Sequence, residues 1–136
     1  MVKDIVRDAF FLSQKSDEAT KADLQVVQDL EDTLKANRDR CVGMAANMIG
    51  YRKKIIIVAT GFADIVMINP VITAKSEPYE TEEGCLSLPG TRKTTRYKRI
   101  TVRYLDKRFD EHVQDFSGYI AQIIQHEIDH FSGKLI

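Results

Sequence analysis

Residues 118–132 read GYIAQIIQHEIDHFS, an apolar run interrupted by histidines and acids. Ile120, Ile123, Ile124 and Ile128 recur at helical spacing and form a wide apolar stripe, so the segment is expected to be a largely buried helix. Ser117 stands at its N-cap position, and Gly133 follows where the helix should end. Among these isoleucines lie three ionisable side chains, His126, Glu127 and His130. Such groups are costly to bury without a partner. Two histidines four residues apart sit one above the other on a helix face, so their ring nitrogens can converge on one metal ion. Glu127 falls at the lip of that site, where a carboxylate can take a proton from water.

Working back along the chain, residues 97–105 alternate, with Ile100, Val102 and Tyr104 on one face and Thr101 and Arg103 on the other. This is the pattern of a half-buried strand, and a partner strand is expected near 109–115. Residues 53–59 (KKIIIVA) and 64–73 (DIVMINPVIT) are β-branched and read as strands. Residues 40–50 are rich in Gly and Ala. Residues 21–37 read as an amphipathic helix, with Leu24, Val27, Leu30 and Leu34 at helical spacing and Thr20 and Asp23 placed as a capping box. The order helix, strands, helix points to an α+β fold. Antiparallel or mixed strands pack around the buried C-terminal helix, and an amphipathic helix lies near the N-terminus. The whole of 1–136 is expected to form a single domain.

Two histidines leave a catalytic metal site short of a third protein ligand. His112 lies in a polar strand or turn and is expected to be exposed. Cys85 is the better candidate, in the segment Glu83-Gly84-Cys85-Leu86-Ser87-Leu88-Pro89-Gly90. A lone cysteine is otherwise a small buried hydrophobe, so the residues alone leave both readings open.

EGCLS at 83–87 and QHEIDH at 125–130 resemble two signature motifs of the peptide deformylase family. A third, the glycine–alanine loop, resembles Gly43-Met44-Ala45-Ala46-Asn47-Met48-Ile49-Gly50. All three stand in family order, and Ile68-Asn69-Pro70 and Arg92 fit the family pattern as well. The resemblance implies an enzyme that hydrolyses the formyl group from the N-terminal formyl-methionine of nascent polypeptides. It implies that Cys85, His126 and His130 hold one divalent ion, Fe²⁺ in cells, with Zn²⁺, Ni²⁺ or Co²⁺ as substitutes. Glu127 becomes general base and then general acid, and the backbone N–H of Leu86 donates to the oxyanion. It also implies that Arg92 lines the peptide groove, with an ordinary surface arginine as the other reading. Val42 and Gly43 border the cleft, where their backbones can pair with the peptide. Met44 and Ile123 are candidates for the pocket of the methionine side chain, with core packing the plainer reading of each. Asp129 reads as a partner that orients a ligand or pairs with an arginine, or as an ordinary helix charge.

One position departs from the family. Where its glycine–alanine loop carries a glutamine that donates to the oxyanion, this chain has Met48, and a thioether has no hydrogen to donate. Loss of one such donor commonly costs about 2.7–4 kcal/mol, so impaired rather than abolished turnover is expected. Asn47 carries an amide but is one residue off, about 100° around a helix. A catalytically silent protein that binds formylated peptides is the alternative reading. An unrelated HExxH peptidase is disfavoured, because it would recruit a later ligand.

Twenty Lys and Arg balance twenty Asp and Glu, which gives no reason to expect a specific nucleic acid or an anionic membrane as partner. No apolar run approaches a membrane span and no secretory signal is apparent, so a cytoplasmic location with reduced thiols is expected. Ribosome association is weakly supported. The chain stops six residues after His130, and the basic run 92–99 reads first as a solvated strand edge and only second as an RNA contact.

Overall fold

The computed structural model describes residues 1–85 and 87–134. It is an α+β structure with five strands among the described residues. They are β1 (Gly43–Ala45), β2 (Ile55–Ala59), β3 (Asp64–Cys85), β4 (Leu88–Leu105) and β5 (Glu111–Ser117). They form one antiparallel sheet in the order β1-β2-β3-β4-β5. Each strand therefore follows its sequence neighbour, which short connections allow. Among the described residues there are three α-helices, the single turn α1 (Ala9–Leu12), α2 (Leu24–Ala36) and α3 (Gly118–Asp129).

β2 explains how two helices share one sheet. Its run Ile55-Ile56-Ile57-Val58 is fully buried on both faces, as expected for a strand covered on each side. Ile55 and Ile57 pack with Leu30 and Leu34 of α2, together with Met44, Met48 and Ile68. Ile56 and Val58 pack on the opposite face with Ile124 of α3, and with Met67, Val102 and Phe116. The helix at 118–132 is thus buried as its isoleucine stripe requires. It runs as α3 and then a 3-10 turn over His130–Ser132. Gly118 (φ +64°) makes the sharp turn out of β5, and Gly133 (φ +77°) ends the helical run. A Cβ on Gly133 would lie 2.0 Å from the Ser13 carbonyl oxygen, so only glycine lets the N-terminal segment close on that end.

The capping box of Thr20 and Asp23 is present, on a 3-10 turn (Lys21–Asp23) that leads into α2. This turn shifts the buried face. Leu24 is 41% exposed, and Val26 takes the place expected for it beside Val27, Leu30 and Leu34. The strands at 64–73 and 97–105 are parts of β3 and β4, which extend as a long ribbon through residues 74–85 and 88–98. Most of residues 74–82 are exposed, so the outer ribbon has no alternating pattern to read. The partner strand expected at 109–115 lies at 111–117. The basic run 92–99 is indeed largely exposed, with one correction: Arg96 is only 3% exposed.

Candidate metal centre

The end of β3 and the C-terminal half of α3 meet beside β1. Glu83 and Cys85 are two residues apart on β3 and so share a face. Gln122, His126 and Asp129 follow at helical spacing on α3, and His130 begins the next turn. Cys85 Sγ lies 3.6 Å from His130 Nε2. The two imidazoles meet edge to face, with ring centroids 5.1 Å apart. One ligand atom from each of Cys85, His126 and His130 lies within 4.8 Å of the other two. Zn–N and Zn–S bonds at tetrahedral angles put nitrogen and sulfur about 3.6 Å apart, so the observed spacing fits a shared ion.

The electrostatics suit a cation as well. Burial works to lower the His126 pKa, but hydrogen bonding to Cys85 and Glu83 and the charge of Glu127 outweigh it and raise it to about 10. The surroundings that hold a proton on His126 would favour a bound ion in its place. Burial, helped by the nearby charges of His126 and Arg96, lowers His130 to about 3, so His130 is neutral and keeps a lone pair for coordination.

A chain of buried polar contacts orients the His126 ring, whereas His130 Nδ1 is buried without a hydrogen-bond partner among the described residues. His126 Nδ1 and Glu83 Oε1 are 2.9 Å apart. That leaves Nε2 of His126 for a metal, the arrangement in which a carboxylate fixes the ring. Arg96 donates to both Glu83 oxygens, at 2.7–3.1 Å, and to Asp129 Oδ2 at 2.6 Å. Gln122 Nε2 donates to Glu83 Oε2 at 2.9 Å. Burial would raise the Glu83 carboxyl, but hydrogen bonds from His126, Arg96 and Gln122 prevail and hold it at about 2.

Glu127 behaves in the opposite way. Burial, reinforced by the charge of Glu83, raises it to about 7 despite His126 and Arg96. Its Oε1 is buried without a hydrogen-bond partner among the described residues and lies 3.7 Å from His130 Nε2. A carboxyl poised near neutrality can both accept and return a proton. Gly43 makes room for it, since a Cβ there would lie 3.0 Å from Glu127 Oε2 and 2.7 Å from Ile123 Cγ2.

A cavity of about 330 Å³ opens over these groups, walled by Cys85, His126, Glu127, Ile123, Gly43, Val42 and Met48, with Tyr119 and Arg40 toward its rim. The chain belongs to the polypeptide deformylase family. The family model for polypeptide deformylase matches residues 3–136. A peptide deformylase of Clostridium beijerinckii is 58% identical over 136 residues, covering both chains completely. Peptide deformylase 1 of Clostridium perfringens is 41% identical over 113 residues, 81% of this chain and 76% of that one. The crystal structure of peptide deformylase from Thermotoga maritima superposes with a TM-score of 0.89 at 28% identity, covering 99% of this chain and 95% of that one. The Met-Ala-Ser-bound class I type b peptide deformylase from Acinetobacter baumannii does so with a TM-score of 0.89 at 28% identity, covering 99% and 97%.

Not every residue expected at a deformylase site lies there. Val42, Gly43, Met48 and Ile123 line the cavity. Met44 does not: alternation along β1 turns it to the other face of the sheet, fully buried among Leu30, Leu34 and Ile57. Arg92 is exposed, off the cavity wall, with Nη1 donating to the Thr91 carbonyl at 3.2 Å. Leu86 lies outside the described residues. Asn47 is turned away, its Nδ2 donating to the His130 carbonyl at 3.2 Å. Met48 Sδ instead accepts from the Ala45 N–H at 3.4 Å. His112 is exposed as expected, 2.7 Å from Asp106 and stacked on Tyr104. Cys41 lines the cavity, its thiol donating to the Gly43 carbonyl at 2.9 Å. The sequence reading assigned no role to Glu83, Gln122 or Arg96. Period 2 back from Cys85 and one helical turn back from His126 mark the first two, whereas nothing sets Arg96 apart within its basic run.

Proposed function

We propose that this chain removes the formyl group from the N-terminal formyl-methionine of nascent polypeptides by hydrolysis, releasing formate. The reading is carried by one observation: Cys85, His126 and His130 converge beside a buried Glu127 that titrates near neutrality. Cys85 Sγ and the two imidazoles would hold a divalent ion, Fe²⁺ in the cell, with Zn²⁺, Ni²⁺ or Co²⁺ able to replace it. When bound, such an ion polarises a carbonyl oxygen and acidifies water.

The protein's own residues do the rest. Glu127 takes a proton from the attacking water at its free carboxylate oxygen. It then returns the proton to the amine nitrogen as the C–N bond to the formyl carbon breaks. β1 is an edge strand of the sheet, paired on one side by β2, and Val42 and Gly43 at its start line the cavity, so a peptide can pair with the backbone there. Ile123 contributes apolar surface for the methionine side chain. The backbone N–H of Leu86 serves the oxyanion, and Met48 contributes no donor to it. Arg92, exposed off the cavity wall, would meet a substrate only beyond the cavity. The cytoplasm is the location that fits this substrate. Ribosome docking rests on the exposed basic residues of β4 alone.

The test is formate release from formyl-Met-Ala-Ser by anaerobically purified, Fe²⁺-loaded protein. Turnover that disappears in Glu127→Gln supports the reading. Tight peptide binding without formate release would favour the silent alternative, which the missing donor at Met48 motivates.

A further inference from the structure

We infer that Arg96 is a positioning residue that holds both histidines of the metal centre at once. The inference rests on Cys85, His126 and His130 as the ligand set. Arg96 does not touch that set. Its guanidinium forks onto both oxygens of Glu83 on one side, at 2.7–3.1 Å, and reaches Asp129 Oδ2 at 2.6 Å on the other. Glu83 fixes the His126 ring through Nδ1 at 2.9 Å. Asp129 is the residue before His130, and its position sets where the helical turn carrying His130 sits. One side chain on β4 therefore ties the ring of one ligand and the backbone of the other to the sheet.

The chemistry requires an arginine. Glu83 has three side-chain partners, Arg96, Gln122 and His126, and of these only the planar fork of Arg96 can grip both its oxygens at once and still spare one arm for Asp129. A lysine has a single charged nitrogen at the end of a flexible stem and cannot span both carboxylates in that way. Arg96 is 3% exposed and Glu83 9%, so water does not readily take over a lost contact. Gln122 adds a further hydrogen bond to Glu83 but carries no charge. With Arg96 gone, the Glu83 carboxylate loses its counter-ion and is free to turn from His126.

Loss of a partner behind a metal ligand typically lowers metal affinity by about 10–100-fold. The experiment measures Co²⁺ and Zn²⁺ affinity by chelator competition in wild type, Arg96→Met, Arg96→Lys, Glu83→Gln and Asp129→Asn. It records the melting temperature of each metal-free protein, and the ¹⁵N shifts of His126 in each Zn²⁺-loaded protein, which report how its Nδ1 proton is held. The expected result is a loss of affinity of about 10–100-fold in Arg96→Met and Glu83→Gln, with smaller losses in Arg96→Lys and Asp129→Asn. The His126 Nδ1 signal of the Zn²⁺-loaded protein should broaden or shift in the first two. If Arg96→Met does not fold, Arg96→Lys decides, with a severalfold loss of affinity expected. Affinities within twofold of wild type alongside lowered melting temperatures would mean that Arg96 only stabilises the fold, and the inference fails. Formate release plays no part in these readouts, so an inactive wild type with a normal metal site would sink the proposed function and leave this inference standing.

Discussion

The two walls of the cavity are built on opposite plans. The wall formed by β3, β4 and the face of α3 is polar and densely paired. Glu83, Arg96, Gln122, His126 and Asp129 saturate one another with hydrogen bonds. The wall formed by β1 and the 3-10 turn over Ala46–Ile49 is apolar and tight. There Gly43 clears space, Met48 faces the cavity, and the Asn47 amide points away to the His130 carbonyl. Glu127 lies between them with a buried oxygen left free. The paired wall fixes ligands; the sparse wall leaves room for a reacting group and its substrate.

The largest effect should come from the group between the walls. Glu127→Gln keeps the shape and removes the proton acceptor, and general acid–base catalysis is commonly worth about 10²–10⁴ in rate. Formate release should fall by that order while Co²⁺ affinity stays near wild type. Equal losses in rate and affinity would place Glu127 among the ligands, not between the walls.

The sparse wall yields the next effect, with the opposite sign. Met48→Gln adds an amide donor beside the cavity. If the oxyanion lies there, turnover of formyl-Met-Ala-Ser should rise, up to about 10²-fold, since one such donor is worth 10²–10³. An unchanged rate would show that the oxyanion is held without help from this wall.

Acidity separates the two carboxylates without any substrate. Glu127 in the folded protein titrates at about 7, above its ordinary value of 4.5. Its contribution to stability is therefore fully present below pH 4.5 and is lost as pH rises through 7. The shift corresponds to about 3 kcal/mol. Glu83 is held down at about 2, so its contribution is present above pH 4.5 and is lost as pH falls through 2. Chemical denaturation of the metal-free protein between pH 2 and 8 should show Glu127→Gln gaining on wild type as pH rises. Glu83→Gln should instead lose most of its penalty as pH drops from 4.5 towards 2. Stability curves that run parallel to wild type would refute both assignments.

How far the sequence could be read also follows these walls. The isoleucines of α3 and the Ile55–Val58 run announce the fold, because burial on one stripe or on both faces leaves a periodic or continuous apolar trace. The two histidines were legible for the same reason, four residues apart on a helix that had to be buried. Cys85 needed the family motifs, since a lone thiol carries no pattern. Arg96 was hidden, because its neighbours in the basic run are exposed and only tertiary contact distinguishes it. Met44 misled: it sits next to Gly43 in the motif, yet strand alternation sends it into the opposite core. The outer ribbon at 74–82 had no periodic signal to offer, as most of it is open to solvent.

Gly43 gives the smallest effect and the sharpest test of how tight the sparse wall is. Its Cβ in Gly43→Ala would come within 2.7 Å of Ile123 Cγ2, 3.0 Å of Glu127 Oε2 and 3.3 Å of the Ile57 carbonyl oxygen. The isoleucine methyl can yield a little, but the strand pairing of β1 with β2 holds the backbone side. Overpacking of this kind costs about 1–3 kcal/mol. The displaced group should be the Glu127 carboxylate, because it alone of the three is a free side-chain end without a hydrogen-bond partner at Oε1. Gly43→Ala should therefore lower formate release by more than its loss of stability explains, with metal affinity held by the opposite wall. Melting temperature, chelator competition and turnover on one preparation separate these effects. A variant that melts lower but turns over at the wild-type rate would mean that Ile123 gives way instead, and that this wall is softer than its geometry implies.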